Sequence, residues 1–179
     1  MKKLTVALLA GGISSEREVS LQSGDQVYEA LDKDKYHILR YDPKTDLDRL
    51  VNDAAGIDVA LIILHGPYGE DGTVQGLLDL LGIPYQGSGV LGSALAMNKE
   101  VTKQLYEKSG LPVPPYIIYD RNDKLDVDAC VKHIGLPLVV KPVAGGSSVG
   151  MSIVRSADDL QDALDKAMTY DSAVMVESY

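Results

Sequence analysis

Residues Leu138 to Gly150 read Leu-Val-Val-Lys-Pro-Val-Ala-Gly-Gly-Ser-Ser-Val-Gly, and this stretch narrows the fold more than any other. The apolar run Leu138-Val139-Val140 has the character of a buried strand. It reaches Lys141, and Pro142, which lacks an N–H, is expected to stop the ladder there. A loop containing Gly145, Gly146, Ser147, Ser148 and Gly150 follows, and Met151 to Val154 resumes a strand-like pattern. The order is therefore strand, lysine, small-residue loop, strand. Two readings are open. One is a hairpin with a plain tip and a lysine at its edge. The other is an anion site, because small residues allow several backbone N–H groups to approach one ligand, serine hydroxyls add donors, and lysine supplies a point charge suited to phosphate. The usual phosphate loop has its lysine after the glycines and leads into a helix. Here the lysine comes first and a strand follows, so the hairpin would fold over the phosphates.

A length of 179 residues allows one medium domain or two small ones, and 45% hydrophobic with 24% charged residues describes an ordinary globular protein. The net charge of −9 argues against nucleic acid as a partner. It says little about a nucleotide site, where a few local lysines dominate. Cys130 is the single cysteine, which excludes an intrachain disulfide; it reads as a small buried filler in a helix. Met1-Lys2-Lys3 before Leu4 to Ala10 superficially resembles a signal peptide, but the apolar part is short and Ser15-Glu16-Arg17-Glu18 follows at once. No apolar run is long enough to span a bilayer. A cytoplasmic protein without membrane contact is expected.

In chain order, Leu4 to Ala10 predicts a strand broken by Gly11-Gly12. Ser15 and Glu18 have capping-box spacing, and the helix that follows runs to about Leu31, with Val19, Ser23, Val27, Ala30 and Leu31 as its inward stripe. Tyr36 to Tyr41 is a second strand, Asp46 to Ala54 a polar helix, and Val59 to Leu64 a third strand apolar on both faces. This βαβαβ order predicts a doubly wound parallel sheet. A helix from about Thr73 to Leu81 follows, then Gly82-Ile83-Pro84 and the short piece Tyr85 to Gly89. Helices are expected over Ser93 to Met97 and Lys99 to Lys108. Gly110 to Pro115 is the most linker-like segment. A strand at Tyr116 to Tyr119, a helix at Val127 to Ile134, the opening stretch, a helix at Ala157 to Met168 with Ser156 and Asp159 as its capping pair, and a strand at Ala173 to Val176 complete the chain.

Doubly wound sheets bind ligands at the carboxyl ends of their strands, and two such ends are chemically loaded. The first carries Gly11, Gly12, Ser14, Ser15 and Glu16; the second carries His65 through Thr73. Gly11-Gly12 lacks the third glycine of a dinucleotide fingerprint, which disfavours an oxidoreductase half. Glu16 is either a first-turn acid favoured by the helix dipole or a partner for a substrate ammonium. His65 is either a packed histidine or a functional one. Glu70 and Asp71 are expected to tie down their loop and start the next helix.

Taken together, five segments resemble the D-alanine–D-alanine ligase family, a branch of the ATP-grasp enzymes. They are Gly11 to Ser20, His65 to Gly76, Tyr85 to Gly89, Met97-Asn98-Lys99, and Val140 to Gly150. The resemblance implies an α/β fold: an N-terminal doubly wound parallel sheet over residues 1–90, then the small α+β ATP-binding lobe of an ATP-grasp fold over residues 91–179. It implies ATP and D-alanine as ligands and a possible homodimer. Glu16 matches the acid holding the ammonium of the first D-alanine, with a catalytic part, and His65 a histidine near that substrate. Lys99 and Lys141 match lysines contacting ATP phosphates. Ser147 matches the loop serine that closes over the site, with Ser148 beside it. Glu177 matches an acid at the adenine hinge, where Tyr179 also lies. The implied reaction passes through an acyl phosphate to D-alanyl-D-alanine for peptidoglycan precursors.

The resemblance covers about the first 60% of such an enzyme, by the family's usual length against ordinary domain sizes. The family's Mg2+ ligands, oxyanion-stabilising arginine and ribose-binding acid lie beyond Tyr179. The sequence thus reads as a fold truncated before the C-terminal lobe, with no metal ligand of its own, and the chain alone is expected to be inactive. Alternatives are a non-catalytic nucleotide- or amino-acid-binding fragment and a ligase making D-alanyl-D-lactate or D-alanyl-D-serine.

Overall fold

Val6 through Ala10 are all buried, each at most 5% exposed, and this run, β1 (Leu4–Leu9), is the centre of the first sheet. A computed structural model describes residues 2–124 and 126–179. The chain divides into two compact units, Met1–Ala94 and Leu95–Tyr179.

In the first unit, β1 pairs in parallel with β2 (Tyr36–Tyr41) on one side and β3 (Val59–Ile62) on the other. The order β2-β1-β3 is the expected doubly wound half, joined by α1 (Arg17–Ala30) and α2 (Leu47–Asp53). Parallel neighbours need such crossovers. Strand β3 is shorter than the apolar run that announced it and only Ala60 within it is buried. A bridge from Ala60 to Tyr85 extends pairing beyond β3. The core gathers Ala7, Leu9, Tyr41, Leu50, Val74 and Leu78 among others. The Tyr41 hydroxyl donates to Asp53 at 2.8 Å; burial first, and that carboxylate second, push its pKa up to about 12. The unit continues through α3 (Thr73–Leu80) and the start of α4 (Val90–Met97).

Helix α1 departs from its predicted stripe. Its buried residues are Ser20 and Gly24, whereas Val19 is 51% exposed. The predicted capping box is also absent: Glu16, rather than Ser15, stands at the N-cap and its side chain makes no capping bond to the helix, and Ser14 Oγ accepts from the Glu16 amide at 3.2 Å. The physical reason is close approach. Small residues let α1 lie against β1, and Val19 turns outward while Val27 and Leu31 of the expected stripe stay half-buried.

The second unit is a four-stranded sheet of order β4-β7-β5-β6, formed by β4 (Tyr116–Asp120), β5 (Leu138–Pro142), β6 (Ser152–Val154) and β7 (Ala173–Ser178). All three pairings are antiparallel. The β5–β6 hairpin is the expected strand, lysine, loop, strand. Pro142 ends pairing with β6 after Val140, yet β5 stays paired with β7 through Pro142 and Val174. Helix α5 (Lys99–Lys108) is capped by Asn98, which accepts from the Val101 amide at 3.0 Å. Helix α6 (Val127–Ile134) has the predicted limits, with Cys130 buried in it at 1%. The last predicted helix divides into a 3-10 turn, Ala157–Asp159, and α7 (Leu160–Ala167). Ser156 Oγ accepts from Asp158 rather than Asp159.

Alternation along the strands decides what each face does. Leu138 and Val140 on β5, with Val174 and Val176 on β7, pack with α6 and α7 residues in one core. Val139, Lys141, Met175 and Glu177 occupy the alternate positions and face the other way. Truncating Leu138 or Leu164, fully or nearly fully buried, would cost about 2–5 kcal/mol.

Gly24→Ala tests the close approach. Alanine normally favours a helix interior over glycine by about 0.5–1 kcal/mol. Here its Cβ would lie 2.5 Å from the Cβ of Ala10, and overpacking of this kind costs about 1–3 kcal/mol. A lower urea midpoint is expected; an unchanged or higher midpoint contradicts the packing described.

Candidate functional site

Each unit holds one candidate site. In the first, the Gly11-Gly12 loop after β1 is committed to internal bonds. The Gly11 amide donates to Ser20 Oγ at 2.8 Å and the Gly12 amide to Asp42 Oδ1 at 2.9 Å. Arg17 reinforces it, meeting Asp42 with both guanidinium nitrogens at 2.5 and 3.0 Å and the Gly12 carbonyl at 2.6 Å. Burial raises the Asp42 carboxyl, but Arg17 and the Gly12 and Lys44 amides outweigh it and hold it below the usual carboxylate range. These amides are spent on the loop itself, which removes the glycine pair as a phosphate cradle. The Arg17–Asp42 pair was not legible as a loop clamp in the sequence.

Glu16 follows that loop and is buried at 4%. A Cβ at Gly66 would lie 2.6 Å from Glu16 Oε1, so the His65-Gly66 turn, with Gly66 at φ 71°, needs glycine to close over the carboxylate. The turn is fastened from several sides. Ser14 Oγ donates to the His65 carbonyl at 2.7 Å. Glu70 accepts from the Gly66 amide at 2.7 Å, and Asp71 from the amides of Tyr68 and Thr73 at 2.8 and 3.0 Å. Glu70 and Asp71 thus tie the loop and start α3 as the sequence suggested. Gln75, buried at 5%, adds a bond to the Gly69 carbonyl at 2.9 Å. His65 and Ser14 line a cavity of about 170 Å³ with Leu47, Leu64, Tyr68 and Val74 among its walls. Glu16 lies beside this turn and is not part of the cavity wall.

In the second unit, Lys99 and Lys141 line a hollow of about 240 Å³ with Gly145, Gly146, Ser147 and Ser148. Lys99 is the first residue of α5, and its amide donates to the Val143 carbonyl at 3.1 Å. Its ammonium donates to the carbonyls of Pro142, Val143 and Gly145 at 3.0, 3.2 and 2.8 Å. Lys99 therefore holds the start of the loop in shape. Ser147 and Ser148 adopt φ of 49° and 59°, a left-handed pair that is uncommon outside glycine, and Val149 N–H closes the turn on Gly146 O at 3.1 Å. Gly150 is required where it stands: a Cβ there would lie 2.7 Å from the Tyr170 ring.

Lys141 and Glu177 are on one face of the sheet and form an ion pair. Lys103, absent from the sequence-based site, pairs with the other Glu177 oxygen at 2.7 Å. All three side chains are largely shielded, with exposures of 21%, 13% and 11% for Lys141, Glu177 and Lys103. Burial pushes the Glu177 carboxyl up, but bonds from Lys103 and Lys141 outweigh it and hold the carboxyl below its ordinary range. Neither Glu177 nor Tyr179 lines the hollow; Tyr179 is 68% exposed, and its amide donates to Pro137 O at 3.3 Å. Among the described residues no three His, Cys, Asp or Glu side chains gather where a cation could sit, so these residues do not by themselves fit a magnesium site. Among the described residues no helix is long and apolar enough to cross a membrane.

Two family descriptions match the chain: "D-ala D-ala ligase N-terminus" over residues 5–48 and 42–88, and "D-ala D-ala ligase C-terminus" over residues 105–179. A protein of Syntrophobacter fumaroxidans named D-alanine--D-alanine ligase is 61% identical over 178 residues, which are 99% of this chain and 57% of that protein. The crystal structure of D-alanine--D-alanine ligase from Bacillus anthracis matches with a TM-score of 0.87 at 42% identity, covering 98% of this chain and 57% of the other. A crystal structure of D-alanine--D-alanine ligase from Bacillus anthracis complexed with ATP matches with a TM-score of 0.83 at 39% identity, covering 98% of this chain and 58% of the other. The chain thus spans a little over half the length of the relatives it matches.

Acid titration checks the Glu177 cluster. Because the folded pKa is depressed, the stabilisation is fully present above the unfolded carboxylate range and is lost as pH falls through that range to the folded value. Glu177→Gln should lower the urea midpoint near neutral pH, and the gap to wild type should shrink by about pH 4. A gap independent of pH contradicts the ion-pair account.

Proposed function

The chain belongs to the D-alanine–D-alanine ligase family, and from that premise we propose that it carries the substrate acid and the phosphate-binding loop of an ATP-dependent ligase joining two D-alanines. The observation that carries this reading is the hollow in the second unit, where Lys99, Lys141, Ser147 and Ser148 come together under a donor-rich loop. The product, D-alanyl-D-alanine, would serve peptidoglycan precursor synthesis in the cytoplasm.

In this reading the carboxylate of the first D-alanine attacks the γ-phosphorus of ATP. The bond from that phosphorus to the β,γ-bridging oxygen breaks, ADP leaves, and an acyl phosphate forms. The amine of the second D-alanine then attacks the acyl carbon, phosphate departs, and a proton is lost from the new amide nitrogen. Lys141 offsets charge on the phosphates, where a cation is effective because phosphoryl transfer asks mainly for positioning and electrostatic help. Lys99 acts by holding the Pro142–Gly145 carbonyls and so the base of the loop. Ser147 and Ser148 add hydroxyl donors and, with the loop, keep water from the acyl phosphate. Glu16 holds the ammonium of the first D-alanine, and His65 borders that amino acid. Glu177 and Tyr179 lie toward the adenine.

Calorimetric titration of the protein with ATP and with D-alanine tests this assignment. Lys141→Ala should weaken ATP binding by roughly ten-fold or more, the usual cost of removing a charged hydrogen-bond partner. Glu16→Gln should weaken D-alanine binding while leaving ATP affinity near wild type. Wild-type protein that binds neither ligand, or a Glu16→Gln variant with unchanged D-alanine affinity, contradicts the corresponding role.

A further inference from the structure

The Glu177 cluster has two lysines for one acid, and the two are not equivalent. Lys141 comes from β5, lines the loop hollow, and is the more exposed of the pair. Lys103 comes from α5, one helical turn after Lys99 and on the same helix face. It is 8% exposed as a residue. Its ammonium is 2.7 Å from Glu177 Oε2, 3.4 Å from the Pro114 carbonyl, and 4.9 Å from the centre of the Tyr116 ring. Tyr116 is the β4 residue directly opposite Glu177 in the sheet. Lys103 is therefore fastened to the strand register on which Glu177 sits, and it has no part in the hollow wall.

Each Glu177 oxygen has its own cation. A cation already spent on a carboxylate attracts a phosphate weakly. Lys141 serves a polyphosphate with its full charge and all three N–H donors only by turning from Glu177, and a largely buried carboxylate left without a partner is strongly unfavourable. Lys103 removes that obstacle, because Glu177 keeps one ion pair after Lys141 departs. We propose that Lys103 is a positioning residue that holds Glu177 in place and neutralised, making Lys141 the exchangeable cation that passes from Glu177 to the phosphates of a bound nucleotide. This rests on the nucleotide reading of the hollow given above.

The test compares the affinities of adenosine and ADP by calorimetry, since their ratio isolates what the phosphates contribute. Lys103→Met should reduce the gain from adenosine to ADP by roughly ten-fold relative to wild type, the scale of one charged hydrogen bond. Glu177 would then retain Lys141 as its remaining cation. Lys103→Arg keeps the charge and should preserve most of the gain. The double variant Lys103→Met with Glu177→Gln has no carboxylate to hold Lys141 and should recover the wild-type ratio, even if adenosine itself binds differently. A merely structural role for Lys103 would give the double variant the same loss as the single one. Should Lys103→Met fail to fold, the double variant decides: a wild-type ratio supports the exchange, and a ratio that collapses toward unity overturns it. An unchanged ratio in folded Lys103→Met overturns it as well. Wild-type protein that binds no adenine compound overturns the nucleotide reading itself, a separate outcome from loss of the exchange alone.

Discussion

One carboxylate, Glu177, fixes the chemistry of the second unit. It lies in the register of β7 between Tyr116 of β4 and Val139 of β5. Its two oxygens are met by lysines from two other elements. The strand alternation that turns Leu138, Val140, Val174 and Val176 into the helix-covered core is what presents Lys141 and Glu177 on the opposite face. Core and site are thus products of the same pleat. Slipping β7 by one residue would put Glu177 among the core leucines and valines and Val176 on the site face. Helix α5 completes the arrangement with Lys99 on the loop base and Lys103 on the acid, so one helix face supplies two of the three cations.

The first unit solves a similar problem with different parts. Loops at strand ends expose backbone donors and acceptors that must be satisfied. After β1 this is done by Ser20, Asp42 and Arg17; after β3, by Glu70, Asp71 and Gln75. These internal bonds leave Glu16 beneath the His65-Gly66 turn, and they leave the cavity beside His65 walled largely by fixed backbone and apolar side chains.

Much of this was readable from the sequence, for identifiable reasons. The strand, lysine, loop, strand order at Leu138–Val154 followed from an abrupt change between apolar and small residues. The limits of α6 agree with the sequence reading, and the structure shows Asp126 as its cap, accepting from the Ala129 amide at 2.9 Å, with Gly135 after Ile134. The two loaded strand ends followed from parallel topology. What failed did so where tertiary contact overrides local pattern. The start of the α1 stripe differs because apolar Val19 outranks Ser20 and Gly24 on any hydrophobic scale, yet small residues are what fit against β1; Val27 and Leu31 further along stay half-buried. Ser15 looked like a cap, but Ser14 was the serine placed to reach both the Glu16 amide and the His65 carbonyl. Lys103 was invisible because a helical lysine is usually solvated, and its partner, Glu177, is supplied by the last strand. The only local signal was its spacing from Lys99, and that spacing is common on ordinary exposed helices.

The most direct measurement is a crystal structure of the protein with ADP bound. The account predicts the diphosphate in the hollow lined by Lys99, Lys141, Ser147 and Ser148, with Lys141 Nζ on a phosphate oxygen and Lys103 still paired with Glu177. A diphosphate bound elsewhere, or bound in the hollow while Lys141 remains on Glu177, would contradict it.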